Sequence, residues 1–209
     1  MVREAYDVLI VGAGPAGAAA AITLAGAGHS VLLIDKCSFP RQKTCGDGLT
    51  GNSRRLLKEL GAWHAIAPET HRLSETVIIP PRSAAIRLDI SVHTIQRHIL
   101  DSALLYHALA HGAHFEVLRF TGKIERSADG YISKAVNSKG AKVPLRAKYI
   151  ILATGCARIA LEKNSKPLHL ATPDMFAARG YYRAAWPIEE IRIYLSGPGS
   201  DVSYAWIFP

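Results

Sequence analysis

Cysteine is scarce in this chain: Cys37, Cys45 and Cys156 are the three among 209 residues. The number is odd and no Cys-x-x-Cys spacing occurs. A disulfide framework and a structural zinc are therefore not expected, and a reducing cytosol suits the composition. Long runs of one charge are also missing. The formal net charge is +8, yet no run of Lys or Arg exceeds Arg54-Arg55. No stacking-rich or helix-turn-helix signature accompanies the charge, so nucleic acid is not an expected partner. A secretory leader is not expected either: Arg3, Glu4 and Asp7 come first and no cleavage pattern follows. His107 and His111 stand four apart on a helical stretch, but no third ligand accompanies them, so no metal is expected. Hydrophobic residues make up 49% and charged residues 20%. That balance is globular, neither disordered nor collagenous.

Charge is absent altogether from Val8 to Ile34. A run of that length invites reading as a membrane span. Gly12, Gly14, Pro15, Gly17, Gly26 and Gly28 interrupt it, and its periodicity changes partway, which argues against a span. Tyr6 to Val11 reads as a strand. Pro15 to Ala27 reads as a small-residue helix with Pro in its first turn. Gly28 supplies the stop, and Ser30 to Ile34 reads as a second strand. Parallel strands covered on both faces are apolar throughout, as these two are.

The turn between strand and helix carries the chemistry. Gly12-Ala13-Gly14-Pro15-Ala16-Gly17 is G-x-G-x-x-G. Gly12 permits the tight turn, Gly14 lets the backbone approach a pyrophosphate, and Gly17 lets helix and strand pack closely. The helix start, at Pro15 and Ala16, offers N–H groups and partial positive charge to phosphate. Asp35 closes the second strand, where its carboxylate can accept hydrogen bonds from both ribose hydroxyls. The acid favours a 2′-hydroxyl over a 2′-phosphate. Strand, turn, helix and acid in this order are the context that makes the motif informative. By itself the motif does not separate FAD from NAD.

The following loop does. Lys36 leads into Phe39-Pro40-Arg41 with Lys43, then Cys45-Gly46-Asp47-Gly48-Leu49. This run resembles the geranylgeranyl reductase family, a branch of the flavoprotein group that includes aromatic hydroxylases and flavin-dependent halogenases. A helix from about Ser53 to Leu60, stopped by Gly61, comes next. On the next long helix, which His93 or Thr94 can cap, Arg97-His98-Ile99-Leu100-Asp101 is similar to the family's Arg-x-x-Leu-Asp. Ile95, Ile99, Ala103, Tyr106 and Ala110 form its expected apolar face, and Gly112 its end. Arg97 and Asp101, four apart on the polar face, suit an ordinary helical ion pair. The resemblance implies FAD as the cofactor, with Lys36, Cys45, Gly46, Asp47 and Arg97 among its contacts.

Ala113 to Leu118, Phe120 to Glu125, Tyr131 to Val136 and Lys142 to Ala147 read as strands. Turn signals at Asp129-Gly130 and Lys139-Gly140 separate the last three, and they read as an antiparallel crossover meander. A further strand, Tyr149 to Ala153, ends in Thr154-Gly155. Such an ending returns the chain to the cofactor in related flavoproteins, which adds Ala153, Thr154 and Gly155 to the expected contacts. Many relatives carry Asp-Gly here, so a pyridine-nucleotide site is not implied. Thr76 to Pro80 and Ala85 to Asp89 look like two short strands of an inserted substrate sheet, to which the chain returns from about Ser165. Gly197-Pro198-Gly199-Ser200 reads as a turn.

The last residues, Tyr204-Ala205-Trp206-Ile207-Phe208-Pro209, resemble the Tyr-x-Trp-x-Phe-Pro motif that lines the isoprenoid pocket of geranylgeranyl reductases. Strand alternation places Tyr204, Trp206 and Phe208 on one face, suited to an apolar polyene, though a plain core strand reads the same way. The expected fold is α/β: a Rossmann-like FAD-binding domain (1–72 and 93–164) with a crossover β-meander. Part of an inserted substrate-binding β-sheet (73–92 and 165–209) completes it, truncated at its C-terminus because family members are about twice as long. The resemblance implies hydride transfer from reduced flavin to a C=C bond of a prenyl chain, with NADPH or ferredoxin as reductant. Cys45 is the candidate proton donor, or else a small packing residue. The expected location is the cytoplasm, and a prenyl-lipid substrate implies peripheral contact with a membrane. Two alternatives stay open. One is an FAD-dependent monooxygenase or halogenase, although halogenases carry Trp-x-Trp-x-Ile-Pro at the final motif. The other is a non-catalytic fragment that binds ADP-like ligands weakly.

Overall fold

The computed structural model describes residues 5–156, 176–197 and 203–209. The expected return to the substrate sheet at Ser165, and Pro198, Gly199 and Ser200 of the expected turn, lie outside the described residues. The elements run β1 (Tyr6–Val11), α1 (Pro15–Gly26), β2 (Val31–Asp35), β3 (Gly48–Leu49), α2 (Gly51–Glu59), α3 (Trp63–Ile66) and β4 (His71–Leu73). They continue β5 (Thr76–Ile79), β6 (Ile86–Leu88), β7 (Val92–Thr94), α4 (Arg97–Ala110), β8 (His114–Val117) and β9 (Arg119–Ser127). Last come β10 (Gly130–Val136), β11 (Lys142–Leu152), β12 (Ile191–Leu195) and β13 (Tyr204–Ile207). By internal contacts the chain forms two compact units, 1–41 with 100–175 and 42–99 with 176–209.

The first unit is built on a six-stranded sheet in the order β8-β2-β1-β11-β10-β9. β1 lies parallel between β2 and β11, which is why its residues from Val8 to Val11 are all buried and apolar. β8 pairs in parallel with β2, so the first of the four expected strands belongs to the parallel layer rather than the meander. β9, β10 and β11 are antiparallel as expected. The strands expected at Lys142 to Ala147 and Tyr149 to Ala153 are one strand, β11. Its first half pairs with β10 and its second half with β1. Switching partner at Ala147 needs no turn, so no breaker residue marks it. Leu118, Ala135, Leu145 and Ala147 from the meander side share one core cluster with Tyr6, Leu9, Val11, Leu32 and Ile34.

Small residues let α1 lie close on this sheet: Gly17, Ala18, Ala21, Ile22 and Ala25 are its buried positions. Gly28, at φ +87, ends it in the left-handed conformation that favours glycine. Asp7 ties the starts of β1 and β2 together. Its Oδ2 accepts from Ser30 N at 2.9 Å and Ser30 Oγ at 2.7 Å, and Lys148 Nζ lies 2.7 Å from Oδ1. The Lys148 hydrogen bond, then those from Ser30, hold the Asp7 carboxyl well below the usual carboxylate range.

On α4 the expected apolar face is displaced. Leu100, Asp101, Leu104, Leu105 and Ala108 are buried, whereas Tyr106 and Ala110 are exposed and Ile99 and Ala103 only half-buried. Both stripes have helical spacing, and the one carrying three leucines buries more apolar area. Asp101, expected on the polar face, is wholly buried.

The second unit carries a four-stranded sheet, β13-β12-β5-β6, and a three-stranded one, β3-β7-β4. β5 and β6, expected as two short strands, pair antiparallel, and β12 joins β5 in parallel. Leu73, Val92 and Ile191 form a small core, with Ile193 and Phe208 packed on it. α2 begins at Gly51 rather than Ser53, because Thr50 is the cap: its Oγ1 accepts from Ser53 N at 3.4 Å. His93 and Thr94 do not cap α4. Both lie in β7, paired by backbone to β3 and β4. The His93 ring meets Arg54 Nη1 at 3.1 Å and Thr70 Oγ1 at 2.9 Å, and Thr94 Oγ1 donates to Pro209 O at 2.9 Å. Burial, then the Arg54 and Arg72 charges, lower the His93 pKa.

Candidate functional site

The glycine loop of the first unit is fixed by close backbone contacts. Gly12 has φ +104, and a Cβ there would stand 2.4 Å from Ala153 O. A Cβ on Gly17 would stand 1.8 Å from Gly12 O and 3.3 Å from the Ala153 side chain. Ala153 N donates to Val11 O at 2.8 Å, which holds the end of β11 against the loop. Gly12, Gly17, Ala153 and Thr154 are thus brought together, and Gly155 follows with φ +61. Gly14 is the N-cap of α1, with no side-chain cap hydrogen bond and no acid in the first turn after it. The positive helix end beside Pro15 and Ala16 is therefore uncompensated by protein carboxylates of its own turn.

Asp35 faces this loop. Its Oδ2 accepts from Ala13 N at 2.9 Å and its Oδ1 from Cys37 N at 3.0 Å. Each carboxylate oxygen keeps a further lone pair for a hydroxyl. Lys36 beside it is exposed. A two-stranded parallel unit, a glycine turn that a Cβ would fill and an oriented acid together suit the ADP half of a dinucleotide.

In the second unit, the segment after Cys45 meets the final motif. Cys45 is a half-buried free thiol. A Cβ on Gly46 would stand 3.0 Å from Phe208 Cε2 and 3.3 Å from Trp206 Nε1, and one on Gly48 would stand 2.9 Å from Phe208 Cε1. The Tyr204 and Trp206 rings are 5.4 Å apart. Tyr204, Trp206 and Phe208 therefore cluster on one side of the strand, with Phe208 reaching the small core and Tyr204 half-exposed.

Asp47, between those glycines, has φ +61 and is nearly buried. Arg179 Nη1 donates to both its oxygens, at 2.9 and 2.8 Å, and the Tyr181 hydroxyl donates to Oδ2 at 2.6 Å. Arg179 also reaches Gln42 and stacks on the Tyr181 ring at 4.3 Å. Burial, then the Asp47 contact, pushes the Tyr181 phenol up to about 12. Arg179 and Tyr181 were not among the expected site residues. They follow Asp47 by 132 and 134 positions, and no periodicity links them. Arg97 is half-buried near the start of α4. Among the described residues, no group of three or more His, Cys, Asp or Glu is placed to hold a metal ion, and no helix is long and apolar enough to cross a membrane.

The fold and glycine loop define a dinucleotide-binding α/β protein. The sequence matches the FAD binding domain family over residues 5–164, and the chain belongs to that family. FAD is accordingly the cofactor of this fold. Relatives of the expected kind are found. The menaquinone reductase of Mycobacterium tuberculosis is 30% identical over 221 residues, covering 100% of this chain and 53% of that protein. The digeranylgeranylglycerophospholipid reductase of Methanoculleus marisnigri is 28% identical, covering 99% and 53%. A flavin-dependent brominase of known structure is 26% identical, with TM-score 0.63 over 73% of this chain and 38% of that one. A flavoprotein/dehydrogenase from Cytophaga hutchinsonii, 24% identical, shares the fold with TM-score 0.66 over 73% and 40%. The chain spans about half the length of the curated relatives it matches.

Proposed function

We propose that this chain is the cofactor-binding part of an FAD-dependent oxidoreductase that reduces C=C bonds of a prenyl chain. The observation that carries the reading is the Gly12–Gly17 turn closed by Ala153 and faced by Asp35. Gly12, Gly14, Pro15, Ala16 and Gly17 would hold the diphosphate, and Asp35 the adenosine ribose. Lys36, Cys45, Gly46, Asp47, Arg97, Ala153, Thr154 and Gly155 complete the proposed contacts. Bound and reduced, the flavin would supply hydride to one alkene carbon. Cys45 is the proposed donor of the proton to the other carbon. Tyr204, Trp206 and Phe208 offer aromatic faces to the apolar chain and exclude water from it.

The names of the relatives support this choice of substrate, since a menaquinone and a digeranylgeranyl glycerophospholipid both carry isoprenoid chains. Its reductant would be NADPH or ferredoxin, and its site of action the cytoplasm, touching membrane peripherally. The likeness to a brominase gives a second reading, oxygen activation by the same flavin.

Anaerobic incubation of the flavin-loaded, reduced protein with geranylgeranyl lipids separates the two. The expected products gain two hydrogens per reduced double bond, seen by mass spectrometry. Hydroxylated or halogenated product formed only with oxygen contradicts the reductase. Replacing Cys45 by Ala lowers turnover if the thiol gives the proton, and unchanged turnover removes that role.

A further inference from the structure

The loop after Asp35 carries a cation that the glycine motif does not account for. A Cβ built on Gly14 would meet Arg41 Nη2 at 3.3 Å. Gly14 is the position at which the backbone leaves room for a diphosphate. The Arg41 guanidinium thus stands where phosphate oxygens approach the loop.

Its placement is set by an ion pair and a stacked ring. Arg41 Nη2 lies 3.1 Å from Oδ2 of Asp101, a carboxylate that is 0% exposed on α4, while the Arg41 side chain itself is 15% exposed. The guanidinium carbon sits 5.0 Å over the Phe39 ring, and Phe39 packs edge-to-face on Phe115 of β8 at 5.7 Å. Arg41 Nε is buried and finds no hydrogen-bond partner among the described residues. A planar fork with five donors, anchored through one nitrogen and stacked on a ring, keeps donors for a doubly charged acceptor. A lone structural ion pair would need neither the approach to Gly14 nor the spare Nε.

We propose that Arg41, oriented by Asp101, is a ligand of the cofactor's diphosphate, closing the cradle opposite the backbone N–H groups of α1. This rests on the proposed FAD site and adds to it a side-chain contact. Asp101 is a positioning residue in this account. It touches no ligand, and its charge balances the guanidinium when the site is free.

The test is equilibrium binding of ADP, FAD and adenosine to the purified chain and to two variants, with circular dichroism as a check on folding. Arg41→Gln removes the fork. The double variant Arg41→Met with Asp101→Leu removes both charges of the pair and puts apolar residues of similar volume in their place. We expect either variant to bind ADP and FAD roughly ten- to hundredfold more weakly, with adenosine affinity unchanged. The decline of ADP affinity with added salt also becomes shallower in both variants. Two outcomes overturn the proposal: folded variants that bind ADP as the parent does, or variants that lose adenosine and ADP equally. A parent chain that binds neither FAD nor ADP overturns the FAD site as well, which distinguishes the two failures.

Discussion

Gly12 and Gly17 in the first unit, and Gly46 and Gly48 in the second, are glycines for different physical reasons. At Gly12 and Gly17 the missing Cβ would strike main-chain carbonyls, and main chain in a packed sheet has nowhere to go. At Gly46 and Gly48 the nearest atoms belong to the rings of Phe208 and Trp206. Rings can turn, so the second loop is shaped by its aromatic neighbours and the first by the backbone itself. The first therefore suits a rigid, invariant ligand group such as a diphosphate. The second suits a pocket whose shape side chains adjust.

The largest effect should come from Gly17→Ala. With a Cβ 1.8 Å from Gly12 O, the turn must open. The expected loss is beyond about 4 kcal/mol, or failure to fold, read by urea unfolding. A variant that melts like the parent would mean the first loop yields as easily as the second. Next comes Arg179→Gln, which leaves the nearly buried Asp47 carboxylate without its ion pair, at an expected cost of about 3 kcal/mol. Asp47→Gly should cost less, because glycine accepts φ +61 without strain and Arg179 keeps its contacts with Gln42 and the Tyr181 ring. The reverse order would contradict the role given to Arg179.

Tyr181 connects the same cluster to pH. Its folded-state pKa, about 12, lies above the ordinary value of 10.0. Its contribution to stability is therefore complete below the unfolded value and is lost as pH rises through the folded one. Alkaline titration of tyrosine absorbance should show one late-ionising phenol, which Tyr181→Phe removes. The phenol is half-exposed, so the effect on stability is small. Gly48→Ala should cost about 1–2 kcal/mol, because Phe208 can shift away from the new methyl. A loss as large as that of Gly17→Ala would erase the contrast between the loops. The smallest change is Ser133→Ala. Ser133 Oγ is buried without a hydrogen-bond partner among the described residues, so its removal should be neutral or stabilising by up to about 1 kcal/mol.

What was legible in the amino-acid sequence was local. The first β-α-β unit, Asp35 and the two short strands between Thr76 and Leu88 each declare themselves within a few tens of residues, through turn chemistry and periodicity. Contacts between distant segments did not. Asp101 was expected on the polar face of its helix, because a helix position reveals spacing but not which stripe is covered. Its contact with Arg41 joins segments sixty positions apart, and the grip of Arg179 on Asp47 spans 132. His93 and Thr94 precede a helix and are chemically good caps, yet pairing on both sides of β7 claims them first. In each case tertiary context overrode a correct local preference.

The central claim is that the Gly12–Gly17 turn with Asp35 binds the ADP half of FAD. Titration of the purified chain with FAD, followed by displacement with ADP, tests it most directly. The account predicts saturable uptake at one site per chain, competed by ADP and weakened by Asp35→Ala. A colourless protein that takes up no added FAD, or uptake indifferent to ADP, would contradict it.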